Sequence, residues 1–200
     1  MRFKVLMPMY KSMNVSCVIS LIDFLLDLRN NGHEVDFGCT NGFNAAKARK
    51  ALVKEAAEKE NYDYALWLDS DHLYRSEDLF KLIDRMNEEN LGMLSACYKL
   101  HGGSDTSHGI VEDDKFRHFK EEELKDDLID CTVVGFGFLV MTKHYVKKMW
   151  DRFGDNLFIL DAKENCTEDV KFCRCVLHAG DRVCFDPKVK VGHIETTVRY

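Results

Sequence analysis

Along the first hundred residues, short apolar runs alternate with segments of helical periodicity, and that order restricts the fold more than any other feature of the chain. The first run, residues 2–7, passes through Pro8-Met9-Tyr10 into an amphipathic stretch from Val15 to Asn31 that Gly32 ends. A second run covers Glu34 to Phe37. A polar loop from Gly38 to Asn44 follows, and then a helix from Ala45 to about Lys59. After the strand Tyr64 to Leu68 come an acidic turn, a helix opened by Ser76-Glu77-Asp78 with Leu79, Leu82, Ile83 and Met86 on one face, and a strand from Gly92 to Tyr98. Such alternation implies a largely parallel sheet covered on both faces, whose ligands bind beyond the carboxyl ends of the strands. Tyr10, Thr40, Asn41, Asp69 and Asp71 fall at that edge.

The second half is less regular. Residues 101–130 are rich in Gly, His, Asp, Glu and Lys and poor in apolar periodicity, which reads as a long surface excursion, a mobile acceptor loop, and not a linker between domains. Cys131 to Met141 gives two apolar runs about Gly135-Phe136-Gly137, a place where backbone must approach something closely. Helices near Lys143–Arg152 and Glu168–Ala179, and strands near Val183–Phe185 and Val189–Val191, complete the expectation.

With 200 residues, 46% of them hydrophobic, one core is expected. A net charge of −6 and the lack of a basic-aromatic cluster argue against a nucleic-acid surface, so a phosphate ligand would need local groups and a metal. Residues 1–7 read as a strand and not as a signal peptide, and no apolar run approaches a membrane span; a soluble, cytoplasmic protein is expected. The eight cysteines form no Cys-x-x-Cys pair. Cys173 and Cys175 point in different directions on a helix, so reduced, mostly buried thiols are the expectation.

Asp69-Ser70-Asp71-His72 follows the apolar run Tyr64-Ala65-Leu66-Trp67-Leu68. A strand ending in Asp-x-Asp presents two carboxylates at the rim of a sheet, where hard oxygen ligands hold a Mg²⁺ or Mn²⁺ that bridges a diphosphate. The plainer reading is a turn with Asp69 as a loop cap and Asp71 solvated. The strand before the motif and the helix after it favour the metal.

Four signals in this order resemble the GT-A glycosyltransferases, nearest to the large family-2-like group of nucleotide-sugar-dependent enzymes. They are the strand ending in Pro8-Met9-Tyr10, the segment Asn44-Ala45-Ala46-Lys47-Ala48-Arg49, the run into Asp69-Ser70-Asp71, and a tail with Gly135-Phe136-Gly137, Thr167-Glu168-Asp169 and Val191-Gly192-His193. The resemblance implies a GT-A (Rossmann-like) α/β fold over residues 1–200, a mostly parallel central sheet with helices on both faces and a small antiparallel extension. Residues 1–100 would form the nucleotide-binding half and 101–200 the acceptor and catalytic half. It implies transfer of a sugar from a nucleoside-diphosphate sugar, UDP-sugar favoured, to a hydroxyl of a glycan or glycoprotein acceptor. The chain's size is similar to an excised catalytic domain or to compact forms found in phages and large viruses.

The same resemblance assigns residues. Pro8, Met9, Tyr10, Thr40, Asn44, Arg49, Asp69 and Ser70 would bind the donor. Asp71 would be the first metal ligand, Asp69 would contact ribose or reach the metal through water, and His193 would be the third ligand, its imidazole suiting Mn²⁺ better than Mg²⁺. Asp169 would be the general base, with Glu168 as its substitute, although the helix dipole alone accounts for acids in a first turn. Retaining relatives use the fold without such a base, which leaves the stereochemistry open. Tyr98, Gly135, Phe136 and Gly137 would face the sugar and acceptor, the two aromatics either stacking on sugar or packing. One departure is that the second strand offers only Asp36 where relatives carry an acidic pair for the base.

Three rivals remain. A sugar nucleotidyltransferase needs a Gly-rich, basic phosphate loop after the first strand, and Pro8-Met9-Tyr10-Lys11-Ser12 is not one. A metal phosphohydrolase would show a nucleophilic Asp or a His-rich cluster, whereas the eight histidines are scattered. A non-catalytic nucleotide-sugar-binding module would keep the fold and lose the base.

Overall fold

The elements, in chain order, are β1 (Arg2–Met9), α1 (Val15–Asn30), β2 (Glu34–Asn41), α2 (Ala45–Glu58), β3 (Tyr64–Leu68), β4 (His72–Leu73), α3 (Ser76–Glu88), β5 (Met93–Cys97), β6 (Asp105–Glu112), β7 (Lys115–Lys120), β8 (Ile129–Asp130), β9 (Phe138–Thr142), α4 (Lys143–Phe153), α5 (Glu168–His178), β10 (Cys184–Lys190) and β11 (Gly192–His193). The structure, a computed structural model, describes residues 1–9, 12–41, 44–100, 103, 105–112, 115–160 and 166–194. Seven strands make the central sheet in the order β2-β1-β3-β9-β5-β10-β8. Strands β1, β2 and β3 are mutually parallel, and β5 and β10 are parallel to each other. Strand β9 is inserted antiparallel between β3 and β5, and β8 lies antiparallel on β10. Two small antiparallel sheets, β4–β11 and β6–β7, stand beside this frame.

Alternation along each strand sends side chains to two apolar layers. Phe3, Val5 and Met7 of β1, Leu66 and Leu68 of β3, and Phe138 and Val140 of β9 meet α1 and α3. Leu6, Ala65, Trp67, Leu139 and Met141 face the other way, toward α2, α4 and α5. Helices therefore cover both faces. Among the described residues, no helix is long and apolar enough to cross a membrane.

Lys4 breaks the apolar rhythm of β1. It is buried, and its Nζ donates to Asp36 Oδ2 at 2.9 Å and Glu55 Oε1 at 2.8 Å, while Lys59 bonds the same two carboxylates. Hydrogen bonds from Lys59 and Lys4 hold the Asp36 carboxyl below its usual range. Asp36 is thus tied into an ion cluster with Lys4, Glu55 and Lys59.

Several boundaries differ from the sequence reading. Strand β2 continues through Gly38, Cys39 and Thr40, the expected loop, because β1 continues opposite it to Met9↔Asn41. Pro8 does not stop β1, since it lies beyond Leu6↔Trp67, the last pairing with β3. Residues 101–130 contain the β6–β7 hairpin and the short strand β8, and are not an unstructured excursion. Its alternation is hidden by polar inward residues: Thr106 and His108 are buried on β6. The two final strands are one, β10, with a register shift between Asp186 and Lys190 around Pro187. Arg75 occupies the N-cap position of α3 without a side-chain capping bond, and Ser76 is the first helical residue.

Candidate functional site

Strand β3 delivers Asp69 to the carboxyl edge of the sheet, where its N–H donates to Gly137 O at 3.2 Å. The two carboxylates of the Asp-x-Asp turn then diverge. Asp69 accepts both bonds from Arg49 Nη2, at 3.0 and 3.2 Å, and Arg49 Nε donates to Glu168 Oε1 at 3.3 Å. The guanidinium is buried and lies 4.8 Å from the Phe136 ring centroid. Burial opposes its charge, but Asp69 and Glu168 outweigh that and raise its pKa. Its Nη1 is left without a hydrogen-bond partner.

Asp71 points toward two imidazoles. Strand β4 pairs with β11 in the register His72↔His193, and the Ile194 N–H donates to Asp71 O at 2.8 Å, so the end of the chain's last described strands is laid against the turn. His72 Nδ1–H donates to Asp71 Oδ1 at 2.8 Å, and His193 Nε2 lies 3.3 Å from Asp71 Oδ2. The rings of His72 and His193 stack at 4.3 Å. Burial works against the Asp71 charge, yet the hydrogen bonds from His193 and His72 hold its carboxyl well below the usual carboxylate range. For His193, burial pulls the pKa down and the bonds to Asp71 and Lys99 O lift it above its ordinary value.

These three residues offer ligand atoms within 4.8 Å of one another. A carboxylate and two imidazoles form a mixed O/N set that fits Mn²⁺. His193 Nδ1–H donates to Lys99 O at 2.7 Å, which orients the ring and aims its other nitrogen at Asp71. Ligand histidines are commonly fixed in this way by a backbone carbonyl. His72 Nε2 is buried without a partner, so the polar cluster is under-satisfied by the protein alone.

Gly135 and Gly137 are required by this packing. A Cβ on Gly137 would lie 2.5 Å from His72 Nε2, and one on Gly135 would collide with the Tyr98 hydroxyl. Tyr98 Oη accepts from the Gly137 N–H at 2.8 Å, and burial raises its phenol pKa. Tyr98 and Phe136 are both buried and touch the cleft from within the packing; Phe136 belongs to an aromatic group with Trp67, Phe158 and Phe172.

A cleft of about 970 Å³ opens over the cluster, and Asp69, Asp71, His72, His193, Arg49, Gly135 and Asp169 all line it. Asp169 accepts from the Thr167 hydroxyl and, at 3.0 Å, from the Val170 N–H. Glu168, its neighbour, is turned to Arg49 instead. A side pocket of about 260 Å³ is bounded by Pro8, Met9, Arg49, Asp69, Ser70 and Asp71. Two assigned donor residues are not among those lining the cleft or the side pocket: Asn44 caps α2 by accepting from the Lys47 N–H, and Thr40 lies on β2 with its hydroxyl buried and unpartnered. Tyr10 lies outside the described residues.

Sequence reasoning missed two histidines. His72 directly follows the acidic turn, and that adjacency was its only signal. His108 is fully buried, donates from Nε2 to Ala96 O at 2.9 Å, and accepts at Nδ1 from the Gly135 N–H at 3.3 Å. It supports the glycine segment from behind, and nothing in its local sequence marks that.

No family model matches the chain, and no curated protein does. Among solved structures it is similar to GalNAc-T7, whose crystal structure holds UDP, GalNAc and Mn²⁺. The TM-score is 0.62 at 13% identity, and the match covers 96% of this chain. The chain spans 43% of the length of that structure. The likeness establishes the fold: an α/β, GT-A architecture with a mostly parallel central sheet.

Proposed function

We propose that this chain is a Mn²⁺-dependent glycosyltransferase that moves a sugar from a nucleoside-diphosphate sugar, UDP-sugar favoured, to a hydroxyl of a glycan or glycoprotein. The observation that carries this reading is the convergence of Asp71 and His193, one from each half of the chain, with His193 already oriented by Lys99 O. Asp71 and His193 would hold the ion, and His72 would orient Asp71 through its Nδ1–H. When bound, the ion supplies Lewis-acid neutralisation of the departing diphosphate. That UDP and Mn²⁺ occupy a neighbour of the same fold supports the choice. The order of motifs supports a place among the family-2-like enzymes.

The chain's own residues divide the remaining work. Pro8, Met9, Ser70 and Asp69 bound the pocket for the nucleoside, and Arg49 brings a permanent cation to the junction of that pocket with the cleft. Asp169 takes the proton of the acceptor hydroxyl. The acceptor oxygen then bonds to the anomeric carbon as that carbon's bond to the diphosphate oxygen breaks, and the electron pair leaves with the diphosphate. Glu168 holds Arg49 in place. Residues 1–100 would serve the donor and 101–200 the acceptor.

Calorimetric titration of UDP with and without Mn²⁺ tests the assignment. Asp71→Asn should abolish the Mn²⁺-dependent binding and His193→Ala should weaken it, while both variants still melt cooperatively. Because a ligand imidazole must be neutral, Mn²⁺ affinity should fall as the pH drops through the raised pKa of His193, and His193→Ala should remove that slope. Equal UDP affinity in excess chelator would overturn the metal-dependent reading.

A further inference from the structure

The cleft has a second wall of different chemistry. Val111 of β6, Phe116 of β7 and Leu177 of α5 line it and are 47%, 44% and 41% exposed. Single exposed apolar side chains are ordinary; these three line one cavity, from the two strands of a hairpin and from a helix, beside the polar Arg174, His118 and Thr132. Phe116 is also held before any ligand arrives. It pairs with Val111 across the hairpin, its ring meets His118 edge to face at 4.8 Å, and it lies over Gly109, where a Cβ would collide with the ring. A ring fixed in this way loses little freedom on binding.

The helix supplies a ruler. Asp169 and Leu177 belong to the same α5, eight residues apart, which at 1.5 Å per residue is about 12 Å along the axis. That length suits one sugar ring followed by an apolar group. We propose that the acceptor is a glycoside, with its reactive hydroxyl at Asp169 and an aryl or alkyl aglycone seated against Val111, Phe116 and Leu177. This rests on the transferase reading of the cleft for the role of Asp169, while the apolar platform stands on its own geometry.

Binding of 4-nitrophenyl and methyl β-glycosides, compared for galactose, glucose and N-acetylglucosamine by calorimetry with UDP and Mn²⁺ present, tests the proposal without requiring turnover. For at least one sugar the 4-nitrophenyl glycoside should bind about tenfold or more tighter than the methyl glycoside, equivalent to ~1.4 kcal/mol. Phe116→Ala and Leu177→Ser should each bring that ratio toward one. The two variants lie on different elements, so if the hairpin variant fails to fold, the helix variant decides. Equal binding of the paired glycosides for all three sugars, no binding of any, or a ratio that survives in the folded variants would overturn the platform. Glycoside discrimination without UDP binding would sustain the platform and sink the transferase reading, and UDP binding without discrimination would do the reverse.

Discussion

Glu168 and Asp169 occupy consecutive positions on α5 and meet different surroundings, which separates their predicted roles. Asp169→Asn keeps the shape and much of the hydrogen bonding to Thr167 and the Val170 N–H but cannot accept a proton at neutral pH. Transfer should fall about 10²–10⁴-fold, with donor binding intact and the melting temperature within a few degrees. Glu168→Gln instead removes one carboxylate from a buried guanidinium, and should cost about 1–3 kcal/mol of stability with a smaller loss of rate. A transfer assay beside a thermal melt separates the two; near-normal transfer by Asp169→Asn would remove the base from this position. At this scale Asp71, Asp169 and His193 were legible as candidates, since they stand in motifs, and all three line one cleft. The contact that turns Glu168 toward Arg49 was not legible. Whether Glu168 or Asp169 faces the cleft depends on where Arg49 sits, and Arg49 comes from a helix more than a hundred residues earlier. Tyr98 and Phe136 were legible as aromatics near the site but not as buried ones, because their burial follows from the close approach that Gly135 and Gly137 permit.

Individual elements differ in how far their sequences announce them. Strands β1, β3 and β5 and helices α1 to α5 follow from periodicity, because an apolar layer covers each. The β6–β7 hairpin does not, since its inward positions include Thr106 and His108. Strands β4 and β11 are two residues each, too short to carry a period, yet they bring His193 to Asp71. The hairpin carries its own pH dependence. Burial, with a smaller contribution from nearby His118, lowers the His108 pKa to about 3 from an ordinary 6.5. Between those values the unfolded chain binds a proton that the folded chain refuses, so His108 lowers stability as the pH falls from about 6.5 toward 3 and has no such effect above that window. His108→Gln keeps a donor and an acceptor without titrating. Its urea midpoint should therefore fall less steeply than the parent's between pH 6.5 and 4.5. Parallel slopes would show that the hairpin tolerates a charged imidazole. His193 acts in the opposite sense, because its raised pKa contributes stability below its ordinary value that fades as the pH rises.

At the scale of the molecule, the order of strands was the least legible property. Periodicity identifies a strand but not its neighbours, and nothing in Phe138–Thr142 states that it will lie between β3 and β5. That insertion has a consequence for how the chain is made. Every strand pair formed within the first hundred residues lies on one side of the gap, β2-β1-β3, while β5 has no partner until β9 arrives. A fragment of residues 1–100 should accordingly show no cooperative melt and should aggregate through the bare edges of β3 and β5, whereas the full chain should melt in a single transition. A folded, monomeric fragment would mean that the two halves are separable. During synthesis from the N-terminus the central gap stays open until residue 142 has left the ribosome. Over that interval the nascent chain presents one bare edge on β3, an unpaired β5 and two half-covered apolar layers, so its yield should depend on translation speed and on chaperones that shield exposed edges.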